Sequence, residues 1–142
     1  AGEPLKELGK IISGGEMSRF MLAIKAQLSS REEIGTYIFD EIDAGIGGRT
    51  ARVVAEKFCN ISRHVQLIAV SHLAQIAAFA DREFLIEKRE VNGRAQTFIR
   101  EVKGEEQIAE IARLASGDDG DLALKHAEEL LKNAKTYKNS LS

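Results

Sequence analysis

Only one cysteine, Cys59, stands in this chain of 142 residues, so no internal disulfide staples it and a reducing compartment suits it. The same scarcity leaves no paired cysteines for a structural zinc. No apolar run approaches the length that spans a bilayer, and no signal-peptide pattern opens the chain, so a cytoplasmic protein with no membrane association is expected. Charge of either sign is not in excess. Lys and Arg number 20 against 22 Asp and Glu, a formal net charge of −2, which gives the whole chain no electrostatic case for nucleic acid or acidic membranes. Proline occurs once, as Pro4, in an opening segment 1–10 without hydrophobic period that reads as a connector. There is no internal repeat and no low-complexity tract. The last absence is chemical: no Gly-x-x-x-x-Gly-Lys-Ser/Thr run exists to cradle phosphates, and Gly47-Gly48-Arg49-Thr50 lacks both the spacing and the lysine.

What is present begins with Ser13-Gly14-Gly15-Glu16-Met17-Ser18-Arg19. Apolar residues recur at Met17, Phe20, Met21, Ile24 and Leu28, one face of a helix expected over residues 15–28. Ser13 and Glu16 have the spacing of a capping box. A helix that starts with glycine-flanked N–H groups is also a ready anion site, because the macrodipole leaves about half a positive charge there.

Thr36-Tyr37-Ile38-Phe39 is an uninterrupted β-branched and aromatic run that stops at Asp40-Glu41. It reads as a buried, parallel strand. A glycine-rich loop, residues 43–48, leads to a helix with Ala51, Val54, Ala55, Phe58 and Ile61 on one face; Cys59 falls inside it as a small buried hydrophobe. Val65 to Val70 is a second buried strand, ending in Ser71-His72. A short helix over 73–80 precedes Phe84-Leu85-Ile86. Asn92-Gly93 between two β-like runs signals a type I′ hairpin. Two helical patterns close the chain, at 108–115 and 123–134, separated by residues 117–120, and the last is expected to dock an apolar stripe on the sheet. The order predicts an α/β domain with a mainly parallel central sheet, flanking helices and an antiparallel hairpin.

Ligand sites in such sheets lie beyond the carboxyl ends of the strands. Asp40 and Glu41 follow the first strand and His72 follows the second. Neighbouring strand residues point to opposite faces, so the two acids suit two tasks. One carboxylate can hold Mg²⁺, a hard cation that takes oxygen ligands, and the other can orient or deprotonate water. A histidine at the next strand end can contact a phosphoryl oxygen. These are parts for phosphoryl transfer to water, without a cradle. His64 and His126 lie among polar residues and carry no assigned role.

Taken together, the motifs resemble the ABC-ATPase family. Ser13-Gly14-Gly15-Glu16 resembles its signature, Tyr37-Ile38-Phe39-Asp40-Glu41 a Walker B strand with catalytic glutamate, Asp43 and the following glycines its D-loop, and Ser71-His72 its switch histidine. Glu41-Ile42-Asp43 is similar to the SMC-like branch rather than to transporters. Asp43-Ala44-Gly45-Ile46-Gly47-Gly48-Arg49-Thr50-Ala51, together with Ser71-His72-Leu73-Ala74-Gln75-Ile76-Ala77, resembles the RecN family of bacterial SMC-like DNA-repair ATPases, over about 5–132. That resemblance implies a split head, of which residues 1–142 form the single C-terminal lobe, with the Walker A lobe and a coiled coil lying elsewhere. It implies ATP and Mg²⁺ as ligands, with hydrolysis only in a complete head dimer and none by this lobe alone. Partners would be the N-terminal Walker A lobe of the same protein, a second head, and DNA through the full-length protein, in the nucleoid. By position, Ser13, Gly14, Gly15 and Glu16 would contact nucleotide held by the partner head. Asp40 would partner Mg²⁺, and Glu41 would act as base. His72 would contact the γ-phosphate, and Asp43 would carry communication across the dimer. Other branches (excision repair or transport) and a non-catalytic tethering lobe are the alternatives.

Overall fold

The structure is a computed structural model and describes residues 12–30, 33–117 and 120–141. The expected connector over 1–10, and parts of the polar segment at 31–32 and of the break at 118–119, lie outside the described residues. Nine elements follow in the expected order. Helix α1 spans Gly14–Leu28 and strand β1 Thr36–Phe39. Helix α2 spans Gly48–Ser62, strand β2 Gln66–Ala69 and the short helix α3 Ala74–Ala77. The hairpin strands β3 and β4 are Glu83–Val91 and Arg94–Val102, and helices α4 and α5 are Glu105–Ser116 and Asp121–Ser140.

β1 and β2 pair in parallel, with Ile38 opposite Ile68 and Phe39 opposite Ala69. A parallel pair needs a crossover, and α2 supplies it. Its expected face is buried at all five positions, Ala51, Val54, Ala55, Phe58 and Ile61, and Cys59 is buried beside them. Burial pushes the Cys59 thiol up, as it disfavours a thiolate. The Phe39 and Phe58 rings lie 5.3 Å apart, tying strand to crossover; truncating such an aromatic costs about 3–5 kcal/mol. The ammonium of Lys25 on α1 sits 5.0 Å from the Tyr37 ring centre, so α1 and α2 cover the same face of the sheet.

The other face is bare, which corrects the expectation of two fully buried strands. β1 alternates exposed and buried, Ile38 is 71% exposed, and Ile68 and Val70 are exposed as well. Only one face has helices packed on it among the described residues. The apolar stripe of α1 is likewise reversed. The helix buries Gly15 and Leu22, whereas Phe20, Met21, Ile24 and Leu28 are exposed. A periodic stripe identifies a face that wants cover, and here α2 takes the neighbouring face.

At the turn between β3 and β4, Asn92 and Gly93 have φ of 53° and 73°, the two positive values that a type I′ turn demands. The hairpin is a separate two-stranded sheet. α5 packs chiefly along α4 and more lightly against α3, rather than chiefly on the sheet as expected. Its Tyr137 ring lies 5.8 Å from that of Phe79, and Lys138 Nζ donates to Asp81 at 2.7 Å.

Where the hairpin meets α4, Glu83 is 9% exposed and its Oε2 has no hydrogen-bond partner. Burial raises its pKa above 4.5, a hydrogen bond from Gln107 opposes this, and the nearby charge of Glu110 adds to it. The folded state therefore holds this proton more tightly than the unfolded chain, so stability falls as pH rises through 4.5. Glu83→Gln keeps the shape and removes the charge. We expect it to be more stable at neutral pH by about 1–3 kcal/mol, with the advantage shrinking towards pH 4.5, as read by urea unfolding across that range.

Candidate functional site at the carboxyl ends of the parallel strands

Because β1 and β2 run in parallel, the loops that leave them emerge side by side. The first loop, residues 40–47, is shaped by local hydrogen bonds. Asp40 Oδ1 accepts the Glu41 N–H at 2.8 Å, and the Ala44 N–H donates to Glu41 O at 3.0 Å. Ile42, fully buried, pins the loop to the core. Glu41 has φ of 56°, a left-handed conformation that costs a non-glycine residue about 1–3 kcal/mol and collects at functional sites. The two acids therefore lie beyond the end of the strand. Strand alternation does not separate them, as the sequence suggested; the reversed backbone at Glu41 does.

Among the expected ionisable site residues only Asp43 is buried, 4% exposed. Its Oδ2 accepts the Ser71 hydroxyl at 2.6 Å and the His72 N–H at 2.7 Å. His72 Nδ1 stands 3.0 Å from the same oxygen, and the side chain is otherwise 74% exposed. Burial pushes the Asp43 carboxyl up, but the Ser71 hydroxyl, the His72 N–H and the His72 ring together outweigh it and hold the group below 3.8. One carboxylate thus ties the loop after β1 to the loop after β2.

α1 begins at the same end. Ser13 is its N-cap and forms the full capping box. The Glu16 N–H donates to Ser13 Oγ at 3.3 Å, and the Ser13 N–H donates back to Glu16 Oε2 at 2.9 Å. The Ser13 N–H and hydroxyl hold the Glu16 carboxyl low. Gly14 and Gly15 lie against the 40–44 loop. A β-carbon on Gly14 would collide with Glu41 Oε2, and one on Gly15 would stand 2.8 Å from Ala44 Cβ and 2.9 Å from Glu41 O. The structure therefore brings Ser13–Glu16 next to Glu41, and Asp43 next to His72. Among the described residues no cluster of three or more His, Cys, Asp or Glu could enclose a metal. Asp40 is exposed and offers a single carboxylate.

The sequence did not single out Ser18 and Arg19. Ser18 Oγ donates to Asp40 O at 2.8 Å, and Arg19 Nη1 to Ile42 O at 3.2 Å and Ala44 O at 2.7 Å. A signal existed: Ser18, Arg19 and Leu22 follow Gly15 at three, four and seven positions, one helical face.

With this geometry in hand, likeness to known proteins becomes specific. No protein-family model matches the chain. It is 50% identical over 133 residues to DNA repair protein RecN of Treponema pallidum, covering 93% of this chain and 23% of that one. The RecN of Halalkalibacterium halodurans is 46% identical over 138 residues, covering 96% and 24%; that of Bacillus subtilis is 44% identical over 140, covering 98% and 24%. Over nearly its whole length the chain is thus similar to RecN proteins. It spans about a quarter of the curated relatives it matches, the C-terminal quarter. A solved chain from work on the structural biochemistry of ATP-driven dimerization and DNA stimulated activation of SMC ATPases superposes with a TM-score of 0.50 at 24% identity, over 75% of this chain and 63% of that one. The chain thus shares its α/β fold with that solved chain over three quarters of its length. No helix among the described residues is long and apolar enough to cross a membrane.

The Asp43 tie yields a pH dependence. Its folded pKa lies below the unfolded value, so its contribution is present above pH 3.8 and is lost as pH falls further. Asp43→Asn should lower stability at neutral pH by about 1–3 kcal/mol and flatten the acid limb, as measured by denaturant unfolding at stepped pH.

Proposed function

We propose that this chain is the C-terminal lobe of an SMC-like ATPase head that hydrolyses ATP only when completed by an N-terminal Walker A lobe and paired with a second head. The observation that supports it best is a convergence. The start of α1, the Glu41 loop and the Asp43–His72 pair meet at one end of the sheet, in a chain with no phosphate cradle of its own. The bare sheet face with Ile38, Ile68 and Val70, and the outer edge of β2, unpaired among the described residues, are the surfaces the missing lobe would cover. The exposed stripe of α1 is a third apolar surface left for it.

In this reading Glu41 is the general base: its carboxylate takes a proton from the attacking water, a role worth about 10²–10⁴ in rate. Asp40 is one oxygen ligand of a Mg²⁺ ion. That ion keeps several waters and needs only one or two carboxylates beside the phosphates, so a lone exposed aspartate fits it. The metal's contribution when bound is to neutralise charge developing on the phosphoryl oxygens. His72 is held against Asp43 at Nδ1 while most of its ring stays exposed, which leaves it free to contact the γ-phosphate. Ser13, Gly14, Gly15 and Glu16 present the start of α1 to the nucleotide of the partner head, while Asp43 passes the state of one loop to the other.

The relatives are named for DNA repair, and we extend that role, in double-strand break repair and recombination, to the whole protein. ATP-gated pairing of heads would hold or bridge DNA in the nucleoid of the cytoplasm. The near-neutral charge of this segment leaves DNA contact to other parts.

In the full-length protein, Glu41→Gln should bind ATP as the parent does and turn it over about 10²-fold or more slowly. Parental turnover would remove Glu41 as base, whereas absence of steady-state hydrolysis by the parent protein, with or without linear DNA, would favour a tethering lobe. The segment alone should show no ATP binding by calorimetry at millimolar concentration, and tight binding there would sink the split-head account.

A further inference from the structure

The residues after the helix start point to a further role. In the loop that carries the acids, three alternate carbonyls turn towards α1 and each is held by a side chain from it. Ser18 holds Asp40 O, while Arg19 holds both Ile42 O and Ala44 O. Glu41 is bracketed by the first two of these carbonyls, and Asp43 by the last two. The other two carbonyls of residues 40–44 are used within the loop: Glu41 O accepts the Ala44 N–H and Asp43 O the Ile46 N–H. At Gly15 the helix and loop already meet at backbone distance, with no room for a β-carbon. There is little slack between α1 and the loop.

We propose that Ser18 and Arg19 are positioning residues for the hydrolytic acid. By gripping the loop at alternate carbonyls they fix the backbone on either side of Glu41, and they make the loop move with the start of α1. The Arg19 guanidinium is spent on main-chain oxygens, so its part is played through Glu41 rather than on a ligand. Both bonds leave one nitrogen, Nη1, whose two N–H groups are fixed in the plane of an always-charged guanidinium; a lysine ammonium has donors enough for both carbonyls but rotates freely on a flexible stem, so it holds them less firmly. A displacement at Ser13–Gly15, where the partner head's nucleotide would sit, is thereby passed to the acid that serves the chain's own nucleotide. This inference rests on the reading of Glu41 as the base.

The test uses the full-length protein with Arg19→Ala, Arg19→Lys, Ser18→Ala and, in parallel, Glu41→Gln. Steady-state ATPase gives kcat and KM, and binding of a non-hydrolysable ATP analogue gives nucleotide affinity. A misplacement of an ångström can cost about 10²-fold, so Arg19→Ala should lose about that much in kcat while analogue affinity stays parental. Arg19→Lys should recover part of the loss. Ser18→Ala, which deletes one hydroxyl, should show a smaller fall, again in kcat alone, and it carries the test if Arg19→Ala does not fold. Parental kcat in Arg19→Ala, or a loss matched by equally weakened analogue binding, overturns the proposal. Parental turnover by Glu41→Gln removes the base reading and the proposal with it. An inactive Glu41→Gln beside a parental Arg19→Ala removes only the positioning role.

Discussion

A carboxylate taken almost wholly out of water is costly unless its oxygens are met by donors. Asp43 satisfies that condition with the Ser71 hydroxyl and the His72 N–H, both on the loop that follows the neighbouring strand, and with the His72 ring. The rest of the strand-end architecture depends on this arrangement. The parallel pairing of β1 and β2 puts the two loops side by side, yet pairing alone leaves loops free to spread. The buried acid closes them. It also sets how His72 faces the surroundings, since one ring nitrogen is held while most of the ring remains in solvent.

Around that tie, the loop is built to hold an unfavourable backbone. Glu41 in the left-handed region stores strain that its surroundings must offset. Ile42 in the core, Asp40 on the Glu41 N–H, and the carbonyl grips from α1 supply that restraint. The signature glycines fit the same logic. Gly14 and Gly15 let the helix come within backbone distance of the loop, and in the proposed function the same residues offer helix N–H groups to an anion. One pair of glycines therefore serves a chemical need and a packing need at once.

Much of this was legible in the sequence because the signals are local. The capping box of Ser13 and Glu16, the positive φ values at Asn92-Gly93, the limits of β1 and the five-residue face of α2 each depend on neighbours within a few positions. What was missed depends on groups distant in sequence or on chain that lies elsewhere. The grips of Ser18 and Arg19 reach loop residues more than twenty positions away, and no periodicity reports a carbonyl as partner. The apolar stripe through Phe20, Met21, Ile24 and Leu28 is legible as a face, but periodicity does not report what covers it, and these residues are exposed. The same is true of Ile38 and Ile68: the apolar run was read as burial on both sides, whereas these described residues cover one. The roles of the individual acids and of His72 rest on family likeness and chemistry, because geometry alone shows who touches whom.

The outer edge of β2 has a consequence for how such a protein is made. An unpaired strand edge beside a bare apolar face is a template for any extended segment that reaches it first, a second copy included. Under the proposed split head, the strand that completes the sheet would be encoded far away along the chain, the two pieces would have to find one another across a long closed loop, and contacts so remote are slow to form. The nascent lobe is then adhesive for longer than an ordinary domain of its size. Its hazard is misassembly before the head is whole, which makes synthesis rather than chemistry the stage at which this design is most exposed.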